Sequence, residues 1–193
     1  MNAQSSTKEE RPYVIRAYDR WIILVIVLVA GWFLFRPIFA VVTAYRGVTF
    51  EASLIPDSAE HYYKKAIAID PAVPDGWIHL GELYYSFSGQ NHMRYELAAA
   101  TFEAGTNASP SNARLPFDLG RTYLIKLHDN KKAEDALRMS VQRDPSNEFA
   151  WDYLAYAALK NGNRSFALQC WRKVLEIDPG HESARREIQR YGG

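Results

Sequence analysis

Cysteine is nearly absent from this chain: Cys170 is the single one in 193 residues. That excludes an intrachain disulfide, a four-cysteine zinc site and a C-x-x-C-H haem attachment, and its place far from the N-terminus excludes a lipidated N-terminal cysteine. Lying in a helical pattern, it reads as a buried core thiol. An excess of one charge is also lacking. The net charge is +1, and beyond Arg36 there are 18 Lys and Arg against 19 Asp and Glu. Such a balance supplies neither a nucleic-acid surface nor a polybasic membrane-binding domain. The histidines, His61, His79, His92, His128 and His181, are scattered, with no H-E-x-x-H and no helically spaced pair beside an acid, so no metal site is expected. There is no phosphate-binding glycine loop and no G-x-S-x-G elbow. Glu82, Asp118 and Asp152 lie in separate segments, spaced as groove or surface residues and not as an acid-base pair. The sequence thus predicts no catalytic residues, no cofactor and no bound metal.

What the chain does have is a long apolar run. Residues 1–20 form a polar tail carrying Lys8, Arg11, Arg16 and Arg20, of which the first ten or so are expected to be disordered. From Trp21 to Phe35 fifteen residues follow without a charge, and after Arg36 and Pro37 a second apolar run extends from Ile38 to Tyr45. Arg36 is thus the single charge between positions 21 and 45. As a helix this stretch spans roughly 37 Å, enough to cross a bilayer with some tilt. Trp21 and Tyr45 would be its aromatic anchors. Four Lys or Arg precede the span and Arg46 alone closely follows it. The positive-inside rule then places the N-terminus in the cytoplasm and the rest outside it, as on the periplasmic side of a bacterial inner membrane. The competing readings are a signal peptide cleaved at the small residues Val42-Thr43-Ala44, and a buried soluble helix. Arg36 is the candidate intramembrane contact, to a partner helix or a lipid headgroup. Alternatively it snorkels, or the span ends early and Pro37 opens an interfacial segment.

Beyond the run the sequence repeats. Pro71, Pro110, Pro145 and Pro179 recur at roughly the interval of a two-helix solenoid unit, the first interval being the longest. Three of these prolines follow an aspartate. Trp77-Ile-His-Leu-Gly-Glu-Leu-Tyr places Trp77, Leu80, Gly81 and Tyr84 on one helical face, with a notch at the glycine where another element can come close. A glycine within a helix costs about 1 kcal/mol relative to alanine, so its use there suggests tight packing. Ala98, Phe102 and Gly105 precede Pro110. Leu119, Gly120 and Tyr123, then Ala133, Leu137 and Ser140, precede Pro145. Trp151, Leu154, Ala155 and Gly162, then Ala167, Trp171 and Val174, precede Pro179. About five extra residues fall in the turn between Ser86 and Met93, and one near His128-Asp129-Asn130. Pro116 and Ala158 depart from the pattern, and Phe117 is a candidate to fill the place of a large residue beside Pro116.

These residues resemble the tetratricopeptide repeat (TPR), a helix-turn-helix unit of about 34 residues. The resemblance covers residues 57 to 191. It implies an all-α, right-handed α-solenoid of about three and a half repeats over 46–179, preceded by the transmembrane helix at 21–45 and closed by a capping helix and tail at 180–193. Ala59, Tyr63, Ala66 and Pro71 fit a second helix of a degenerate first unit. Gly47 and Phe50 belong to its first helix, which is expected from Val42 to Leu54 in continuity with, or against, the membrane helix. In the cap, Ala184, Ile188 and Tyr191 are expected to face inwards.

The resemblance also implies that ligands lie along a concave face formed by the first helix of each unit. The candidate partner-binding residues there are Ile78, Glu82, Tyr85, Phe117, Arg121, Leu124, Asp152, Tyr156 and Leu159. This largely apolar and aromatic set, with Arg121 near its centre, suits a peptide with hydrophobic anchors and an acidic group. The Lys/Asn pattern with which chaperone-binding members clamp a terminal carboxylate is missing. The expected function is that of a membrane-anchored scaffold or assembly factor for a membrane or envelope complex. Its partners would be proteins of that complex and, through residues 21–45, membrane lipid, with no nucleic acid. The alternatives are a stable accessory subunit of a large membrane complex and a receptor for targeting sequences on an organelle surface.

Overall fold

The computed structural model describes residues 17–86 and 92–192. The N-terminal tail up to residue 16 and the centre of the insertion between Ser86 and Met93 lie outside the described residues. Among those described there is helix and no strand. The elements are α1 (Ala17–Ala52), α2 (Pro56–Ile69), α3 (Pro74–Ser86), α4 (His92–Ala108), α5 (Arg114–Thr122), a π-helical turn (Tyr123–Leu127), α6 (Asn130–Arg143), α7 (Glu148–Lys160), α8 (Arg164–Ile177) and α9 (Glu182–Tyr191). They divide into two compact units, one ending at Arg36 and the other beginning at Pro37.

In the first unit α1 leaves Trp21, the aliphatic residues from Ile22 to Val29, and Trp32 to Phe35 exposed. Arg36 holds its guanidinium 5.8 Å from the Phe33 ring. By length and composition the stretch Arg20–Ala52 is one helix able to cross a membrane, a test that a signal sequence also meets.

In the second unit the chain is punctuated by short polar devices that the sequence encodes locally. Asp129, Asn147 and Asn163 each accept a hydrogen bond from the amide three residues on, at 3.0–3.1 Å, and so open α6, α7 and α8. His181 Nδ1 does the same for α9 from the amide of Ala184, at 3.2 Å. Where Asp precedes Pro, the proline forces the aspartate out of helical conformation. Asp70, Asp144 and Asp178 are accordingly extended residues that end α2, α6 and α8. Each then accepts the amide two residues on, at 3.1, 3.0 and 2.9 Å. The carbonyl of the proline is used again six residues later. Trp77 and Trp151 donate their indole N–H to Pro71 and Pro145, both at 2.9 Å, and Arg185 donates to Pro179 at 2.7 Å. Pro116 has no donor to offer at that place. It lies buried in the first turn of α5, where a missing N–H leaves no intrahelical bond unmade.

Each helix from α2 onward packs on its neighbours in sequence, and α5 also packs on α3 and α7. Two cores result. One runs from Ala44 through Tyr63, Leu83 and Phe102 to Leu115, the other from Leu137 through Leu154 and Trp171 to Ala184. The glycine notches are where second helices enter: a Cβ on Gly47 would overlap the Tyr63 ring, one on Gly81 the Phe102 ring, and one on Gly120 the Leu137 side chain. Cys170 is fully buried, and burial pushes its thiol up to about 12, which leaves it unreactive.

One expectation is corrected. The single extra residue near His128 is absorbed within the helix, as the π-helical turn Tyr123–Leu127, whose wider turn takes up one residue more than an α turn. His128 then ends it in left-handed conformation at φ 55°.

Candidate partner-binding face

The first helices of the units, α3, α5 and α7, are joined side by side through polar and aromatic contacts. Glu82 on α3 forms a close ion pair with Arg114 on α5. Arg114 also reaches Asp118, at 3.4 Å, and Asp118 holds Arg121 at 3.0 Å. The i, i+3 and i, i+4 spacings on α5 place all three side chains on one face. The Asp118 side chain is nearly inaccessible to solvent. Burial raises its carboxyl above the ordinary aspartate value, while the charges of Arg121 and Arg114 oppose the rise.

Arg121 is the centre of the arrangement. Its guanidinium lies 5.1 Å from the ring of Tyr85 on α3 and 5.8 Å from that of Phe117 on its own helix. Phe117 in turn meets Tyr153 of α7 edge-on at 5.6 Å. On the other side, Lys126 of the π turn points its ammonium at Tyr85 and at Tyr95 of α4, at 5.2 and 5.0 Å. The result is a line of rings and cations across five elements. Tyr85, Phe117, Arg121, Lys126 and Tyr153 along it are each half-buried.

Of the residues predicted for this face, the structure therefore brings Glu82, Tyr85, Phe117 and Arg121 together. Ile78 and Leu124 are corrected: they are 7% and 5% exposed, Ile78 lying in the first core and Leu124, on the π-helical turn, in the second. Asp152, Tyr156 and Leu159 lie apart. Asp152 accepts the indole N–H of the buried Trp171 at 2.9 Å, and burial raises its carboxyl. Tyr156 meets Trp171 edge-on at 5.4 Å, and its hydroxyl lies 3.2 Å from Ser183 Oγ and donates to Glu187 at 3.4 Å, both on α9. Leu159 packs against the second core. Asp152 thus ties α7 to α8, and Tyr156 ties it to α8 and α9. Phe117 faces Arg121 and Tyr153 and packs against the second core.

Sequence reasoning missed Lys126, Tyr95 and Tyr153. Lys126 arrives through the π turn, which no local signal announces. Asp118 was visible as an acid between two arginines at helical spacing. Among the described residues no group of three or more His, Cys, Asp or Glu side chains converges to hold a metal ion.

Residues 148–181 match the model of the tetratricopeptide repeat. The unit of α7 and α8 is a tetratricopeptide repeat. No curated protein matches the chain in sequence. Among solved structures, the crystal structure of MamA protein is similar at 19% identity and a TM-score of 0.66, over 77% of this chain and 78% of that one. pilF of Pseudomonas aeruginosa is similar at 18% identity and a TM-score of 0.64, over 81% of this chain and 68% of its own. The second TPR domain of human RPAP3, in complex with an HSP70 peptide, is similar at 24% identity and 0.55, over 64% and 96%. At these identities the likeness is one of fold. TPR units are interaction modules that bind protein partners and are generally not enzymes.

Proposed function

We propose that the chain is a membrane-anchored TPR scaffold, a right-handed solenoid that holds a partner protein for assembly of a membrane or envelope complex. The observation that carries this reading is the line Tyr95–Lys126–Tyr85–Arg121–Phe117–Tyr153, whose rings and cations are fixed by one another before any partner arrives. Half-buried aromatics around an arginine are the side chains that dominate binding energies at protein interfaces. Prearranged side chains lose little freedom when a partner docks. The RPAP3 domain, solved with the HSP70 peptide SGPTIEEVD, is a precedent for peptide capture on this fold.

The anchor is α1, retained and not cleaved, with the N-terminus in the cytoplasm and the repeats on the periplasmic side of a bacterial inner membrane. Retention is supported by Ala40 and Ala44, which are buried in the unit that begins at Pro37. Cleavage after Ala44 would remove two of its buried residues. The test is affinity purification of the full chain from membranes in mild detergent, wild type beside Tyr85→Ala and Arg121→Ala. Partner recovery is expected to drop with either change, while Tyr156→Phe retains it. Equal recovery from all four would place the binding face elsewhere. Protease added to spheroplasts is expected to digest the repeats, and full protection would reverse the orientation.

A further inference from the structure

We infer that the repeat domain is seated directly on the lipid surface through one face of the segment Ile38–Tyr45, with the edge of the hydrocarbon near Arg36 and not at Tyr45. This rests on the anchored reading above. Within the unit that begins at Pro37 the segment has two faces. Ala40 and Ala44 are 1% and 0% exposed, and Ala44 shares a core with Tyr63 and Leu80. Ile38, Phe39, Val42 and Tyr45 are 57%, 53%, 48% and 59% exposed. Their offsets of one, four and seven positions place these four large side chains on one stripe of a helix. Protein therefore covers the small-residue face, while the large apolar side chains are about half exposed.

Polar groups fix where hydrocarbon must end. The Tyr45 ring lies 6.4 Å from the His79 imidazole, whose Nδ1 is 3.8 Å from Glu82 Oε2. Gly47, two residues on, receives the ring of Tyr63, whose hydroxyl donates to Glu51 at 2.6 Å. Ionisable groups of this kind are not housed in lipid chains without large cost, so the level of Tyr45 is outside them. A span counted instead from Trp21 to Phe39 is, as a helix, about 28 Å long, close to the hydrocarbon thickness of about 30 Å. Arg36 then falls in the last turn of the span, from which a long guanidinium side chain reaches the headgroups. The stripe beyond it is aliphatic and aromatic on one side only, as the boundary between headgroups and acyl chains favours. Lipid is the occupant because the stripe follows on the same helix as the exposed apolar run Trp21–Phe35, and no charge interrupts residues 37–45.

The experiment uses the full chain in nanodiscs of phosphatidylcholine and phosphatidylglycerol. An environment-sensitive fluorophore is attached in turn to Val42→Cys, Tyr45→Cys, Leu28→Cys as the anchor reference and Lys160→Cys as the aqueous reference. Cys170, fully buried, does not compete for the label. The labels at 42 and 45 are expected to be several-fold less quenched by iodide than the one at 160. A quencher at the headgroup end of the lipid should affect them more than one deep in the acyl chain, with the reverse at 28. Iodide access at 42 and 45 equal to that at 160, with 28 still lipid-protected, would overturn the seating and leave the anchor standing. Access at 28 as well would overturn both. Stronger quenching of 42 and 45 by the deep probe would move the boundary back to Tyr45. Protection from iodide without quenching by either lipid probe would mean a second copy of the chain covers the stripe, which also overturns it.

Discussion

The side-by-side contacts of α3 with α5 and those of α7 with α9 use equivalent places in two repeats and end differently. At the first junction Glu82 reaches across to Arg114, and at the second Tyr156 reaches across to Ser183 and Glu187. In both cases a polar group on one first helix holds the next helix in position. At α3 and α5 the adjoining rings and cations stay half-buried and face outward. At the far end α9 closes the array, with Tyr191 stacked on Trp171 at 6.1 Å and Ile188 against the second core. The same repeat chemistry thus makes an open surface where another full unit follows and a sealed end where a short cap follows.

The strongest test of this contrast is Trp171→Ala. The indole is fully buried, holds Asp152 and carries both Tyr156 and Tyr191. Loss of so large a side chain should lower unfolding stability by about 3–5 kcal/mol in urea titration. Amide exchange should accelerate across α9 before it does in α3. Uniform acceleration would mean that the cap is not a separate feature.

Next in size is Gly81→Ala at the open end. Its Cβ would overlap the Phe102 ring, and overpacking of this kind costs about 1–3 kcal/mol. Adding Phe102→Leu should recover part of the loss, and a strictly additive double mutant would refute the notch. Asp118→Asn removes the carboxylate that holds Arg121 and that Arg114 shares with Glu82. Because burial raises the Asp118 carboxyl, the folded form binds its proton more tightly than the unfolded chain. Its contribution to stability therefore falls as pH rises from the ordinary aspartate value through the raised one. Asp118→Asn should flatten that part of the pH profile.

The smallest effect, under about 1 kcal/mol, is expected for Glu134→Gln. Burial acts to raise the Glu134 carboxyl, but hydrogen bonds from Asn161, at 2.7 Å, and from Arg138, at 2.6 Å, outweigh it and hold the group below the ordinary glutamate value. Its contribution has the opposite sign of pH dependence: present above the unfolded value of 4.5 and lost as pH falls through the folded one. Acid titration of the two single mutants should move in opposite directions, and parallel shifts would show that one of the two assignments is wrong.

The repeat was legible because its determinants are local. Trp77, Gly81, Phe102 and the prolines act through spacing, and spacing survives in sequence. The candidate face was half legible. Glu82, Tyr85, Phe117 and Arg121 could be placed by register, but Ile78 and Leu124 share that register and are buried, because how deeply a helix sinks between its neighbours depends on side chains from other units. Asp152 and Tyr156 share the register too, but the contacts they make could not be read from it, for a related reason. Their partners, Trp171 and the polar face of α9, lie 19 to 31 residues further along the chain. Lys126 was invisible because counting in α-helical steps puts it on another face.

The π turn at Tyr123–Leu127 gives the array a tolerance to changes in length. One added residue is taken up within a single turn, so the helices on either side keep their facing surfaces and the unit that follows needs no compensating loop. Removing one residue from the turn should restore an ordinary helix and leave the later repeats in phase, while Lys126 leaves the Tyr85 and Tyr95 rings. In such a protein the length of a repeat and the composition of its outward face can vary one residue at a time, with the stacking left as it was.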